Sequence, residues 1–256
     1  MFIWLASYPK SGNTLVRSML AAYFFSNDGV YNFDLIKNIK QFPQNALFKK
    51  MGINVNNDEE LIKNYINVQE KINNKSSIQF LKTHSYLFNI NNNAFTDLKN
   101  SIGAVYIVRD PRNVVTSWAN FSNTSLENAA DVLIKTHKFG GDKNNSNDLD
   151  TTVFVGTWSQ NYNSWKSFKH QKRYLLIKYE DLIFDPLNVI SHEKGYGGGE
   201  TKKGLYIAAQ LDTTFAIYKN HGPEFDQRRE YSLWPSIRTA PPYEARHLPW
   251  YSTYSE

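Results

Sequence analysis

Ile3-Trp4-Leu5-Ala6-Ser7-Tyr8-Pro9-Lys10-Ser11-Gly12-Asn13-Thr14-Leu15-Val16-Arg17-Ser18-Met19-Leu20 stands almost at the start of the chain, and its reading decides the fold. A short apolar run gives way to turn formers around a lysine and then to apolar residues at helical spacing, so the stretch reads as strand, tight loop and helix. Backbone amides of such a loop point outward at the positive end of the helix dipole, which suits a phosphate or a sulfate. Lys10 adds a mobile cation, and Ser11 and Thr14 add hydroxyl donors. The lysine precedes the only glycine of the loop, Gly12, so the spacing is not the Walker form Gly-x-x-x-x-Gly-Lys-Ser/Thr. For the loop taken alone, an ordinary strand-to-helix turn with a solvated lysine is the plainer alternative.

Working outward, Leu15, Met19, Leu20, Tyr23 and Phe24 continue the helical pattern. Residues 26 to 57 are polar, Asn-rich and broken by Gly29, Pro43 and Gly52, which predicts a long excursion over one end of a sheet. A helix with acid in its first turn is expected over 58 to 73. Ile78 to His84 is a short strand ending in Lys82 and His84, and Asn89 to Asn93 is a polar turn. Gly103 to Val108 is a buried strand running into Arg109-Asp110-Pro111-Arg112 and a helix, with Ser117 two turns in. Residues 126 to 139 read as a helix, 140 to 151 as a loop, and 152 to 170 as an aromatic helical face packed as core. A further strand covers Tyr174 to Tyr179, followed by Glu180-Asp181-Leu182 and Asp185-Pro186. Asp181 and Asp185 are read as capping and turn residues rather than a magnesium site.

Four strands separated by helices predict an α/β fold with a doubly wound central parallel sheet and flanking helices. Ligands of such sheets bind outside the carboxyl ends of the strands. Three strand ends therefore bring together Lys10 with its loop, Lys82 with His84, and Arg109 with Ser117. The fork of Arg109 and the Ser117 hydroxyl suit a second anion. Against this stand an ion pair of Arg109 with Asp110 or Asp181, a Ser117 bonded back to its own helix, a structural His84, and a core Tyr179.

At 256 residues the chain is long enough for one sizeable core, and a single domain is favoured. A net charge of +5 without a basic block suits an anionic ligand but not nucleic acid. Cysteine is absent, which removes disulfides, zinc thiolates and a cysteine nucleophile. No apolar run approaches the roughly eighteen residues of a membrane helix, and the N-terminus lacks a signal-like pattern, so a cytoplasmic protein without membrane contact is expected. Beyond about residue 190 the texture changes: five of the nine prolines and six of the thirteen glycines lie there, and asparagine nearly vanishes. The segment 191–256 is either a loop-rich lid of the same domain or a stretch with a different history, such as a change of reading frame.

Taken jointly, the motifs resemble the sulfotransferases that use 3′-phosphoadenosine-5′-phosphosulfate (PAPS). Tyr8-Pro9-Lys10-Ser11-Gly12-Asn13-Thr14 is similar to that family's 5′-phosphosulfate loop, and Tyr106 to Ser117 to its 3′-phosphate motif. Lys82-Thr83-His84 resembles its catalytic strand end, and Lys178-Tyr179-Glu180-Asp181-Leu182 and Gly156-x-Trp158 with Trp165 resemble two further segments. The resemblance covers roughly residues 1–190. It implies a P-loop nucleoside triphosphate hydrolase-like fold and transfer of a sulfuryl group from PAPS to a hydroxyl or amine of a small-molecule or carbohydrate acceptor. The implied product is 3′-phosphoadenosine-5′-phosphate (PAP), and no metal is required. It further implies that His84 takes the acceptor proton, Lys10 stabilises charge on the bridging oxygen, and Lys82 either favours the same transition state or holds the sulfuryl oxygens. Lys10, Ser11, Gly12, Asn13, Thr14, Leu15, Arg109, Ser117 and Tyr179 are the implied nucleotide contacts. Leu15 departs from the family's frequent tryptophan, and the family's C-terminal Arg-Lys-Gly…Gly-x-Trp segment has only the echo Glu193-Lys194-Gly195 with Gly197-Gly198-Gly199. Phe33, Phe42, Phe48, Tyr86 and Phe88 are either acceptor-lining or core. A small-molecule or nucleotide kinase with a variant phosphate loop, and a nucleotide-binding protein without turnover, are the alternatives.

Overall fold

The computed structural model describes residues 1–27, 30–73, 77–135, 138–140, 152–171 and 173–184. In chain order they form β1 (Phe2–Ser7), α1 (Asn13–Phe25), β2 (Lys40–Gln41), α2 (Asn45–Lys49), α3 (Asp58–Ile72) and β3 (Gln79–Thr83). There follow β4 (Asn89–Ile90), β5 (Asn93–Ala94), β6 (Ser101–Val108), α4 (Pro111–Ser122), α5 (Leu126–Ile134) and β7 (Lys138–Phe139). β8 (Val153–Phe154), α6 (Trp158–Trp165), β9 (Tyr174–Lys178) and α7 (Tyr179–Phe184) complete the described part. The segment 191–256 lies outside the described residues, as does Asp185.

The central sheet has the order β2-β3-β1-β6-β9, and every pairing in it is parallel. All four expected strands are present, with β2 as a fifth, edge strand. Alternation along β1 explains the two covered faces. Phe2, Trp4 and Ala6 pack with Leu81, Ala104 and Tyr106 against Leu61, Tyr65, Val68 and Trp165, the side of α3 and α6. Ile3 and Leu5 pack with Phe80, Val105, Ile107 and Ile177 against Val16, Leu20 and Ala21 of α1. Helices thus lie on both faces, which is the doubly wound arrangement.

Local sequence accounts for most boundaries. Asn57 caps α3, its side-chain oxygen accepting from the amides of Glu59 and Glu60. Asp110 caps α4 with Pro111 at the first helical position. Asn91 and Asn92 both adopt positive φ, which closes the β4–β5 hairpin in the expected polar turn.

Some expectations need correcting. The stretch 26–57 is more than an excursion: it carries a 3-10 turn over Leu35–Asn38, the edge strand β2, and α2. Two-residue strands are too short to show a period. Residues 126–139 end not in helix but in β7, which pairs antiparallel with β8, and residues 153–154 of the expected helical face are that β8 strand. The last strand stops at Lys178, so Tyr179 opens α7. Of the aromatics read as pocket or core, Phe42, Phe48 and Phe88 are 0%, 0% and 2% exposed and belong to the core, whereas Phe33 is 83% exposed.

Candidate functional site

The chain leaves β1 toward one half of the sheet and β6 toward the other, so a crevice opens between their carboxyl ends. The loop after β1 and Arg109 after β6 meet there: Arg109 Nη1 donates to the Lys10 carbonyl oxygen at 3.0 Å. The loop turns sharply, with φ of 64° at Lys10 and 93° at Gly12. No side chain caps the start of α1, which leaves its first amides available to an anion. A Cβ on Gly12 would stand 2.2 Å from Tyr179 Cδ2, because the tyrosine ring lies directly on this glycine. The same ring carries the Arg109 guanidinium, 4.5 Å from its centroid. Tyr179 therefore touches both the loop after β1 and the arginine after β6.

Arg109 has no carboxylate partner among the described residues; Asp110 instead pairs with Arg112 at 2.5 Å, and Arg112 holds its carboxyl below the usual range. The amide of Asp110 is held by Glu180 Oε1 at 2.9 Å. Arg109 Nε is buried with no hydrogen-bond partner, and so is the Ser11 hydroxyl. Ser117 is half-buried in the second turn of α4, and the bond back to that helix is made by its neighbour, Thr116 Oγ1 to the Arg112 carbonyl at 3.1 Å. Thr14 is exposed and Leu15 half-buried. Asn13 is buried and braces the loop from inside, donating to the Leu5 carbonyl at 2.9 Å and to Ser7 Oγ at 3.2 Å. The Lys10 ammonium rests on the ring of Phe121, 4.1 Å from its centroid.

His84 follows the end of β3. Its Nδ1 lies 2.9 Å from the Ser7 carbonyl oxygen and 3.2 Å from Ser7 Oγ. A carbonyl only accepts, so this contact assigns the proton to Nδ1 and the lone pair to Nε2. Burial, then the Lys82 charge, and then Lys10 after a smaller upward pull from the Ser7 carbonyl, bring its pKa down to about 3. The ring is therefore a neutral acceptor throughout the physiological range. Lys82 points its ammonium at Gln41 Oε1, 2.8 Å away, and burial together with the nearby Arg17 lowers its pKa to about 8. Arg17 in turn donates to the carbonyls of Ile36 and Ile39, just ahead of β2.

Lys10 and Arg109 thus border the crevice, Lys82 lies near His84 and Arg17 near Lys82, and none of the four cations forms an ion pair with a carboxylate among the described residues. Uncompensated positive charge beside partnerless polar atoms is the setting an anion completes. No group of acidic, histidine or cysteine side chains among the described residues is arranged to hold a metal ion. No helix among them is long and apolar enough to cross a membrane.

Five supporting residues escaped sequence reasoning. Asn161 is fully buried and donates to the carbonyls of His84 at 2.9 Å and Val155 at 2.8 Å, while accepting from the Tyr106 hydroxyl at 2.8 Å. Its place in the aromatic stretch after Gly156-x-Trp158 was the only signal. Ser7, Gln41, Arg17 and Phe121 act through partners distant in sequence, which no local pattern announces.

Comparison with known proteins places the chain among relatives of one kind. The family described as the sulfotransferase domain matches residues 2–198. Mouse sulfotransferase 1 family member D1 is 25% identical over 243 residues, spanning 92% of this chain and 74% of that protein. Rat sulfotransferase 1A1 is 25% identical over 189 residues, which are 71% of this chain but only 54% of that protein. Among solved structures, mouse sulfotransferase SULT7A1 complexed with PAP aligns with a TM-score of 0.42 at 16% identity, covering 86% of this chain and 66% of that one. By the match that spans residues 2–198, the chain belongs to the sulfotransferase family.

Proposed function

We propose that this chain takes a sulfuryl group from PAPS and transfers it to a hydroxyl or amine of a small-molecule or carbohydrate acceptor, releasing PAP. The observation that carries the reading is the set of carboxylate-free cations around the crevice, with Arg109 Nε and Ser11 Oγ buried and partnerless beside them. A nucleotide charged at both ends meets these needs: the loop Lys10–Leu15 suits the 5′ end, and Arg109 with Ser117 suits the 3′-phosphate. Tyr179, whose ring touches both Gly12 and Arg109, is read as the contact to the base. PAPS supplies an activated sulfuryl group; the protein's task is placement and charge stabilisation.

In this reading His84 Nε2 accepts the proton of the attacking hydroxyl or amine, with Nδ1 anchored on Ser7. Lys10 leaves the face of Phe121 to meet charge developing on the bridging oxygen, and Lys82 holds the sulfuryl oxygens. Burial is the larger cause of the depressed imidazole and remains, but an anion beside Lys10 and Lys82 offsets their share of it, so His84 becomes a stronger base when the donor is seated. Residues 1–190 form the sulfotransferase-like domain, and 191–256 belong to it as an atypical C-terminal segment. The reading takes the protein as cytoplasmic.

The test is a comparison of ligands. PAP should raise the melting temperature more than ATP with magnesium, and labelled sulfate should pass from PAPS to at least one member of a panel of alcohols, amines and sugars. Stabilisation by ATP with none by PAP would instead support the kinase reading. Tight PAP binding without transfer to any acceptor would leave a binding protein.

A further inference from the structure

We propose that Gln41 is the positioning residue of Lys82: its amide oxygen fixes the ammonium in place while leaving the positive charge uncancelled. The inference rests on the sulfotransferase reading of Lys82 given above. β2 pairs with β3 so that Gln41 lies opposite Lys82 in the register, and their side chains meet at 2.8 Å. The amide of Phe42, the residue just past β2, also donates to the Lys82 carbonyl at 2.9 Å, so neighbouring backbone and side chain address one lysine.

The chemistry of the acceptor matters. An aspartate or glutamate at this place would orient Lys82 equally well, but it would neutralise the ammonium and repel an incoming anion. A carboxamide oxygen orients without neutralising. The groups facing Lys82 are Gln41 from β2, Arg17 from α1 and His84 just past β3, and none of these is acidic. Arg17 repels the ammonium, yet it also holds the carbonyls of Ile36 and Ile39 and so braces the approach to β2 that puts Gln41 in place. Lys82 is consequently a cation held by a neutral dipole against burial and a like charge. Loss of that dipole favours its uncharged form.

Lysine-selective carbon-13 NMR on the full chain reads this directly, with the Lys82 signal assigned through Lys82→Arg. Gln41→Leu should lower the titration midpoint of Lys82 by about one pH unit, the size expected for loss of one hydrogen bond to a charged group. Affinity for PAPS, measured without acceptor, should then fall about fivefold at pH 8, where the variant's lysine is mostly uncharged, and stay unchanged at pH 6. Gln41→Glu should move the midpoint upward while weakening PAPS binding at both pH values. A purely structural role for this edge-strand residue would alter the melting temperature and leave the midpoint in place. Midpoints identical to wild type in both variants overturn the proposal, as does a shifted midpoint with unaltered PAPS affinity at pH 8. Failure of the wild-type protein to bind PAPS is a separate result: it removes the donor-site reading, while the titration still reports on the link between Gln41 and Lys82.

Discussion

The two ends of the parallel sheet are built from the same strands and finished in opposite ways. At the amino end, polar groups close on one another: Trp4 Nε1 donates to Ser101 Oγ, Ser101 bonds Thr96, Thr96 donates to Gln69, and Gln69 donates to the Phe95 carbonyl. Asp97 accepts from both the amide and the side chain of Asn100. At the carboxyl end, cations gather without carboxylates, and Arg109 Nε and Ser11 Oγ have no partner. The closed end is finished largely within the chain, with Asn73 Oδ1 beside Asn100 as a buried exception; the open end gathers cations that no carboxylate meets among the described residues. Unpaired buried polar groups cost roughly 1–3 kcal/mol each and occur at both ends, so the contrast lies in the uncompensated positive charge gathered at the carboxyl end.

Substitutions at the two ends should therefore separate stability from activity. The largest effect is expected from His84→Ala, which should lower sulfuryl transfer by about 10²–10⁴-fold while PAP still binds, as is usual for loss of a general base. Undiminished turnover by this variant would remove His84 from the mechanism. Next comes Trp4→Ala, which should cost about 3–5 kcal/mol in urea unfolding, since the ring fills a fully buried aromatic cluster. A loss below about 1 kcal/mol would show that the closed end is not the stabilising end. Arg109→Ala should weaken PAP binding about 10- to 100-fold through the loss of charge-assisted bonds, with little change in melting temperature. Equal affinity in the variant would mean that the orphaned guanidinium nitrogen meets no phosphate.

The last effect is a pH dependence of stability rather than of binding. The unfolded chain binds a proton at His84 below pH 6.5, whereas the folded ring resists it down to about 3. Protons are then bound preferentially by the unfolded state between those values, so this group makes stability fall as pH falls through that window. His84→Gln should flatten the acid side of the stability profile between pH 6.5 and 3; an unchanged slope would show that the histidine is not held neutral.

The sequence announced the framework because the framework is local. Six consecutive buried residues in β1, a glycine in a tight turn and an amphipathic helix need no distant partner to be recognised. Placement of Lys10, Lys82, His84 and Arg109 at one end of the sheet followed from the rule that parallel strands share a direction. What stayed hidden depends on contacts across the chain. Gln41 meets Lys82 from a strand of two residues, and Asn161 meets His84 across 77 positions. The Arg109–Asp110 pairing considered from adjacency gave way to Arg112, whose exposed side chain reaches in to the largely buried carboxylate. Phe42 and Phe48 were ambiguous because an aromatic in an Asn-rich segment carries no sign of which side of the sheet it will reach.

The ring of Tyr179, pressed on Gly12 and carrying Arg109, has a consequence for chemical intervention. The pockets read as 5′ and 3′ are not independent compartments but share a wall. A planar inhibitor that wedged this ring aside would disturb both without resembling either end of the nucleotide. Resistance by substitution at residue 12 would be hard to acquire, because even one added methyl collides with the displaced wall's resting place.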